Sequence, residues 1–148
     1  MKEKILLDYA AEQIISEGYT QYGLIYISCD EKTAEAYARN IYAEYLKKHE
    51  TKKAVSVSVY DLMRELIKAI RDKEYEAFLE KYQKADLLII TGAEGMANKM
   101  MTQKEIYVAV DKMLERHSPV VFFSGMLPKN ILKLEDRNRA QMEGGLLI

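Results

Sequence analysis

The chain of 148 residues carries 22 basic and 23 acidic residues, a net charge of -1, and is 49% hydrophobic. This balance excludes disorder and collagen-like repetition, and it leaves no global basic footprint of the kind nucleic-acid binders carry. Cys29 is the single cysteine and excludes an internal disulfide.

No apolar run approaches the roughly 18 residues of a membrane span, and the chain opens without a basic and apolar leader pattern. The expectation is one soluble, reduced, cytoplasmic domain over residues 1–148, with no membrane partner.

In chain order, residues 4–16 place Ile5, Leu6, Tyr9, Ala10 and Ile14 on one helical stripe, and Gly18 suits a C-cap. Residues 23–28 form a short apolar run with β-branched and aromatic members, which reads as a buried strand. A helix over 32–48 turns Tyr37, Ile41, Tyr45 and Leu46 inward. Residues 54–59 alternate strictly, with Val55, Val57 and Val59 on one face, the pattern of a strand.

Asp61 is placed to N-cap a helix reaching Arg71 that buries Leu62, Leu66, Ile67 and Ile70. A second short helix covers 73–83, and residues 86–91 read as the third strand. A glycine-containing loop with Met96, Met100 and Met101 follows. Thr102 and Glu105 have capping-box spacing and open a helix to Arg116. Residues 120–124 are the fourth strand, helical segments follow Pro128 and cover 134–142, and 145–148 read as a terminal strand. Apolar strands alternating with helices define an α/β fold in three layers, a five-stranded parallel sheet covered on both faces.

Ligands of such sheets bind outside the carboxyl ends of the strands. The candidate loops are therefore 28–33, 60–62, 91–101 and 124–129. The first has the layout of a phosphate-binding loop: strand, short turn, then Lys32-Thr33 opening a helix.

With that layout, a run of matching residues begins at Leu62. Ala69-Ile70-Arg71, Glu76, Phe78 and Tyr82 belong to it, as do Asp86 and Leu88-Ile89-Ile90. Ala97-Asn98-Lys99, Thr102-Gln103, Glu105, Pro128-Lys129, Ile131, Leu134-Glu135-Asp136-Arg137 and Gly145-Leu146 continue it. On these residues the chain resembles the central AAA+ domain of the bacterial replication initiator family DnaA. The resemblance implies a P-loop NTPase-type large subdomain with an initiator-specific helical pair between strands two and three. It also implies a family role in ATP-dependent origin assembly, DNA opening and helicase recruitment.

The resemblance fails where ATP chemistry is done. The family loop is Gly-x-x-Gly-x-Gly-Lys-Thr, whereas Ile27-Ser28-Cys29-Asp30-Glu31-Lys32-Thr33 is a residue shorter and lacks glycine. Glycine lets backbone N–H groups approach phosphate oxygens closely and adopt positive φ. Asp30 and Glu31 would instead each oppose a phosphate at a cost of about 3 kcal/mol per like-charge pair. The family's two acidic residues after strand three align with Thr91 and Gly92, its acidic sensor with Gly125, and its arginine finger with Gln141. Arg137 keeps the first arginine position of the box that carries the finger. Lys32 and Thr33 are thus expected to be vestigial, with no catalytic residue, no metal site, and ATP and Mg²⁺ not expected as cofactors. The family's helical lid and helix-turn-helix domain do not fit in 148 residues.

Two further sets follow from the resemblance. Arg137, Arg139 and Gln141 would lie on one subunit-type face, with Asp30 and Glu31 on the opposite one. Ile67 matches an apolar single-strand DNA contact and Lys99 a loop lysine, but the charge of residues 61–84 is balanced, so DNA binding is expected to be weak or absent.

The expected function is a non-catalytic, DnaA-like interaction module for a replication initiator or helicase loader, with a homo-oligomer as a further option. The alternatives are a nucleotide-dependent initiator or loader, and a weak single-strand DNA-binding protein. Cys29 reads as an inert structural thiol, because neighbouring carboxylates oppose a thiolate. His49 and His117 read as helix-end residues, and the methionines as either core or adaptable surface.

Overall fold

The computed structural model describes residues 2–148. Its elements are α1 (Lys2–Glu17), β1 (Leu24–Ser28), α2 (Glu31–Lys48), β2 (Ala54–Ser58), α3 (Val59–Arg71), α4 (Tyr75–Gln83) and β3 (Leu87–Thr91). A 3-10 turn (Ala93–Met96) then leads to α5 (Met100–Glu115) and β4 (Val120–Ser124). A second 3-10 turn (Pro128–Asn130), α6 (Asp136–Glu143) and β5 (Leu146–Leu147) complete the chain.

The five strands are all parallel, in the order β2-β3-β4-β1-β5. Alternate residues of each strand supply two separate cores. Ile25, Ile27, Ile89, Val121 and Phe123 pack beneath α1 and α2, with Leu7, Ala10, Ile14, Ile41 and Tyr45. Tyr26, Leu88, Ile90, Val120 and Phe122 pack beneath α3 to α6, with Leu62, Leu66, Ile106 and Met142. Burial on both faces explains why the central strands read as unbroken apolar runs.

Several boundaries and burials differ from the sequence reading. Ser58, not Asp61, caps α3: its Oγ accepts the Asp61 N–H at 3.0 Å, so Val59 leaves the strand and enters the helix. Helix α5 begins at Met100, so Thr102 and Glu105 are buried inside it rather than forming its cap. The Glu105 carboxylate instead accepts the Tyr75 hydroxyl at 2.6 Å and joins α4 to α5. Ile5, Tyr9, Ile67 and Ile70 are exposed. Each helix touches the sheet along a narrow stripe, Leu7-Ala10-Ala11-Ile14 in α1 and Leu62-Leu66-Ala69 in α3, and these side chains lie on its flanks.

Gln103 is fully buried in α5 and ties the loops that border the functional edge. Its amide donates to the Met96 carbonyl at 2.7 Å and the Lys133 carbonyl at 3.0 Å, and its oxygen accepts the Glu135 N–H at 3.0 Å. Asn138 adds a bond to the Gln103 carbonyl at 2.9 Å.

Gly145 is required where α6 returns to the sheet, because a Cβ there would overlap the Leu24 carbonyl. Gly145→Ala is expected to destabilise the fold by about 1–3 kcal/mol through forced backbone displacement, read as a lowered urea midpoint with unchanged slope.

The tyrosines give a second expectation. Burial pushes the Tyr26 and Tyr45 hydroxyls up to about 12, and the Glu105 hydrogen bond does the same to Tyr75. Burial, with the Glu65 carboxylate, holds Tyr82 far above the ordinary range. Unfolded tyrosines ionise near 10. The stability these groups supply is therefore complete below about pH 10 and is lost as the pH rises toward 12. Tyrosinate absorbance and circular dichroism should change together in that window.

Candidate functional site

Parallel strands put the loops after β1, β2, β3 and β4 along one edge of the sheet. Between them lies a cleft of about 510 Å³ whose walls include Cys29, Ser58, Thr91, Ser124 and Gly125. Four carboxylate residues, Glu31, Glu35, Asp61 and Glu94, also line it.

At the start of α2, Asp30 does what its residue type favours at a helix N-terminus. Its two carboxylate oxygens accept the Thr33 N–H at 2.8 Å and the Thr33 hydroxyl at 2.9 Å. These bonds hold the Asp30 carboxyl below the usual carboxylate range. Thr33 is thereby committed to its own helix cap, and Lys32 is exposed and outside the cleft lining. Cys29 is half-buried; burial first, then the Asp30 and Glu94 carboxylates, push its thiol pKa up. That is the environment of an unreactive thiol.

Across the cleft, β3 ends in Thr91 and then Gly92, which turns the chain with a φ of 63°. That turn directs Glu94 over the end of β4. One Glu94 oxygen accepts the Ser124 hydroxyl at 2.6 Å and the Gly125 N–H at 2.7 Å, and Ser124 Oγ accepts the Met126 N–H at 3.1 Å. The sequence reading marked Gly125 as a position lacking its acid and passed over Glu94. A carboxylate reaches this place from a different loop. The available signal was a lone acid within the otherwise apolar and glycine-containing segment Thr91-Gly92-Ala93-Glu94-Gly95-Met96.

The remaining site residues are distributed. Arg137 lies over the Tyr107 ring, 4.7 Å from its centroid, with its Nε 3.5 Å from Glu135. Arg139 pairs with Asp136 at 3.0 Å. Gln141 turns inward and donates to the Tyr107 carbonyl at 3.1 Å. With Leu24, Arg137 and Gln141 line a second depression near the amino end of β1, whereas Asp30 and Glu31 follow its carboxyl end. The two sets are therefore on different faces.

Ile67 is exposed on α3 beside Lys68 and Arg71, and Lys99 sits on the turn entering α5. His49 caps α2, with its Nε2 2.9 Å from the Ile15 carbonyl and its ring against Tyr45. Among the described residues no cluster of His, Cys, Asp and Glu is arranged to hold a metal ion, and no helix is long and apolar enough to cross a membrane.

Strand order, helical pair and cleft position together define a P-loop NTPase-type domain of the AAA+ class. A family model of the bacterial DnaA ATPase domain matches residues 8–148, and the chain belongs to that family. Domain III of the replication initiation protein DnaA from Thermotoga maritima superposes with a TM-score of 0.88 at 17% identity, over 96% of this chain and 60% of that one. AMPPCP-bound DnaA from Aquifex aeolicus gives 0.87 at 18% identity, over 97% and 45%. A replication initiator DnaA bound to AMPPCP and single-stranded DNA gives 0.88 at 19%, over 97% and 44%. The chain thus spans between 44% and 60% of the length of these structures.

Removing the Glu94 carboxylate leaves the Ser124 hydroxyl and Gly125 N–H without their partner. Glu94→Ala is expected to cost about 1–3 kcal/mol of stability, and Glu94→Gln less, as measured by urea unfolding.

Proposed function

We propose that this chain is a non-catalytic domain of the DnaA type, serving in replication initiation or helicase loading through protein contacts rather than nucleotide turnover. The observation that carries this reading is the commitment of Thr33 to Asp30. Phosphate binding at such a loop needs free N–H donors, and Mg²⁺ needs a free hydroxyl. Here one carboxylate accepts both groups of Thr33.

Three further features support it. The cleft wall carries Glu31, Glu35, Asp61 and Glu94, which repel a polyphosphate. Thr91 and Gly92 put no carboxylate at the end of β3, and the Glu94 carboxylate beyond them is bonded to Ser124 and Gly125. Gln141, at the arginine-finger position, has its amide bonded within its own chain. The residues of the cleft do not fit ATP with Mg²⁺. What this core retains is its packing surface, which includes Arg137 and Arg139 on α6 and Asp30 and Glu31 at the opposite end of β1, charged groups at least partly exposed to a partner or a second copy.

A second reading, weak single-strand DNA binding, is favoured by one observation. Tyr60, Arg64, Ile67 and Arg71 recur at helical spacing along α3, with Tyr60 and Ile67 exposed and Arg64 over the Tyr60 ring. Asp61 and Glu65 on the same helix reduce its electrostatic driving force.

Isothermal titration with ATP and Mg²⁺ is expected to give no binding in the micromolar range, and phosphate release is expected to remain at background. Micromolar affinity, or turnover abolished by Lys32→Ala, overturns the proposed function.

A further inference from the structure

The three loop methionines separate in the structure. Met96 is fully buried, whereas Met100 and Met101 are 50% and 52% exposed. Leu132, on the segment hydrogen-bonded to the turn that precedes them, is 77% exposed. The two segments that carry these side chains are joined, since the Asn98 N–H donates to the Leu132 carbonyl at 3.2 Å and Gln103 bonds the Lys133 carbonyl. The apolar patch is therefore held on a buried hydrogen-bonded support rather than on a free loop.

Its charge is one-sided. Residues 95–104 and 124–134 contain Lys99, Lys104, Lys129 and Lys133 and no aspartate or glutamate. All four lysines are exposed. We propose that this surface docks an acidic, amphipathic segment of a partner protein, its apolar side chains on Met100, Met101 and Leu132 and its carboxylates among the lysines. The proposal rests on the reading of the chain as an interaction module and names the partner chemistry for it.

The carboxylates that bound the two segments are engaged within the chain, Glu94 with Ser124 and Gly125, Glu105 with Tyr75, Glu135 with Arg137 and Asp136 with Arg139, so charge complementarity selects an acidic occupant for the four lysines. The apolar component selects a peptide over a nucleic acid. Single-stranded nucleic acid is gripped by aromatic stacking platforms and arginine, and the two segments hold no aromatic residue and no arginine. Unbranched methionine side chains instead conform to aliphatic ones.

The test is fluorescence anisotropy on the whole chain with three probes: a labelled amphipathic peptide of glutamate and leucine at helical spacing, poly-glutamate, and oligo-dT. The expected result is saturable binding of the amphipathic peptide, weakened tenfold or more by the pair Lys129→Glu with Lys133→Glu and by the pair Met100→Ser with Met101→Ser. Poly-glutamate should bind more weakly. Because these side chains are exposed, circular dichroism of the variants should match the parent.

Absence of peptide binding, equal binding by parent and variants, or tighter binding of oligo-dT lost in the lysine pair overturns the proposal. An ATP titration of the same preparation separates the two readings. Nucleotide affinity with peptide binding intact sinks only the non-catalytic assignment, and a silent titration without peptide binding sinks only this surface.

Discussion

A sheet whose strands all run the same way returns the chain across one of its faces between successive strands, and every loop that follows a strand gathers at a single edge. In this protein that constraint brings together residues far apart in sequence: Asp30 after β1, Ser58 at the end of β2, Glu94 after β3, and Ser124 and Gly125 at the end of β4. The two apolar layers exist to hold that edge in register. Tyr26 and Ile27, adjacent in β1, belong to different layers, so a strand cannot shift by one residue without exchanging its contents between them.

At that edge, the decisive interactions are hydrogen bonds made by carboxylates to their own chain. Asp30 satisfies the first turn of α2, and Glu94 satisfies the end of β4. A helix N-terminus in an open sheet attracts negative charge, and a side chain tethered one residue away meets that demand before any solute does. In the proposed reading, aspartate and glutamate take at this edge the place that a phosphate takes in a glycine-lined loop.

Much of this was legible in the amino-acid order. The strands could be placed because burial on both faces leaves a continuous apolar signature, as in Leu87-Leu88-Ile89-Ile90. The Asp30 cap is a local event between residues three apart, so the order Asp30-Glu31-Lys32-Thr33 carries it without any tertiary contact. What depended on tertiary contact was hidden. Ile67 and Ile70 fit an apolar helical stripe, yet α3 packs along Leu62, Leu66 and Ala69 and leaves them exposed. Thr102 and Glu105 carried a capping spacing, but a longer helix and the Tyr75 hydroxyl claimed Glu105. The role of Glu94 was hidden for the same reason: its partners lie 30 and 31 residues away, across the sheet, and no local pattern encodes that pairing.

The bond from Glu94 to Gly125 has a consequence for how such a protein conveys information. Domains that report on a bound ligand do so by letting the loops around it take one spacing when loaded and another when empty. Here the spacing of the loops after β3 and β4 is set by a side chain that is always present, because it belongs to the chain itself. In the proposed reading the domain has no loaded and unloaded forms to alternate between. A signal of that kind is carried by amount: how many copies are made, where they accumulate, and what fraction of the partner they occupy.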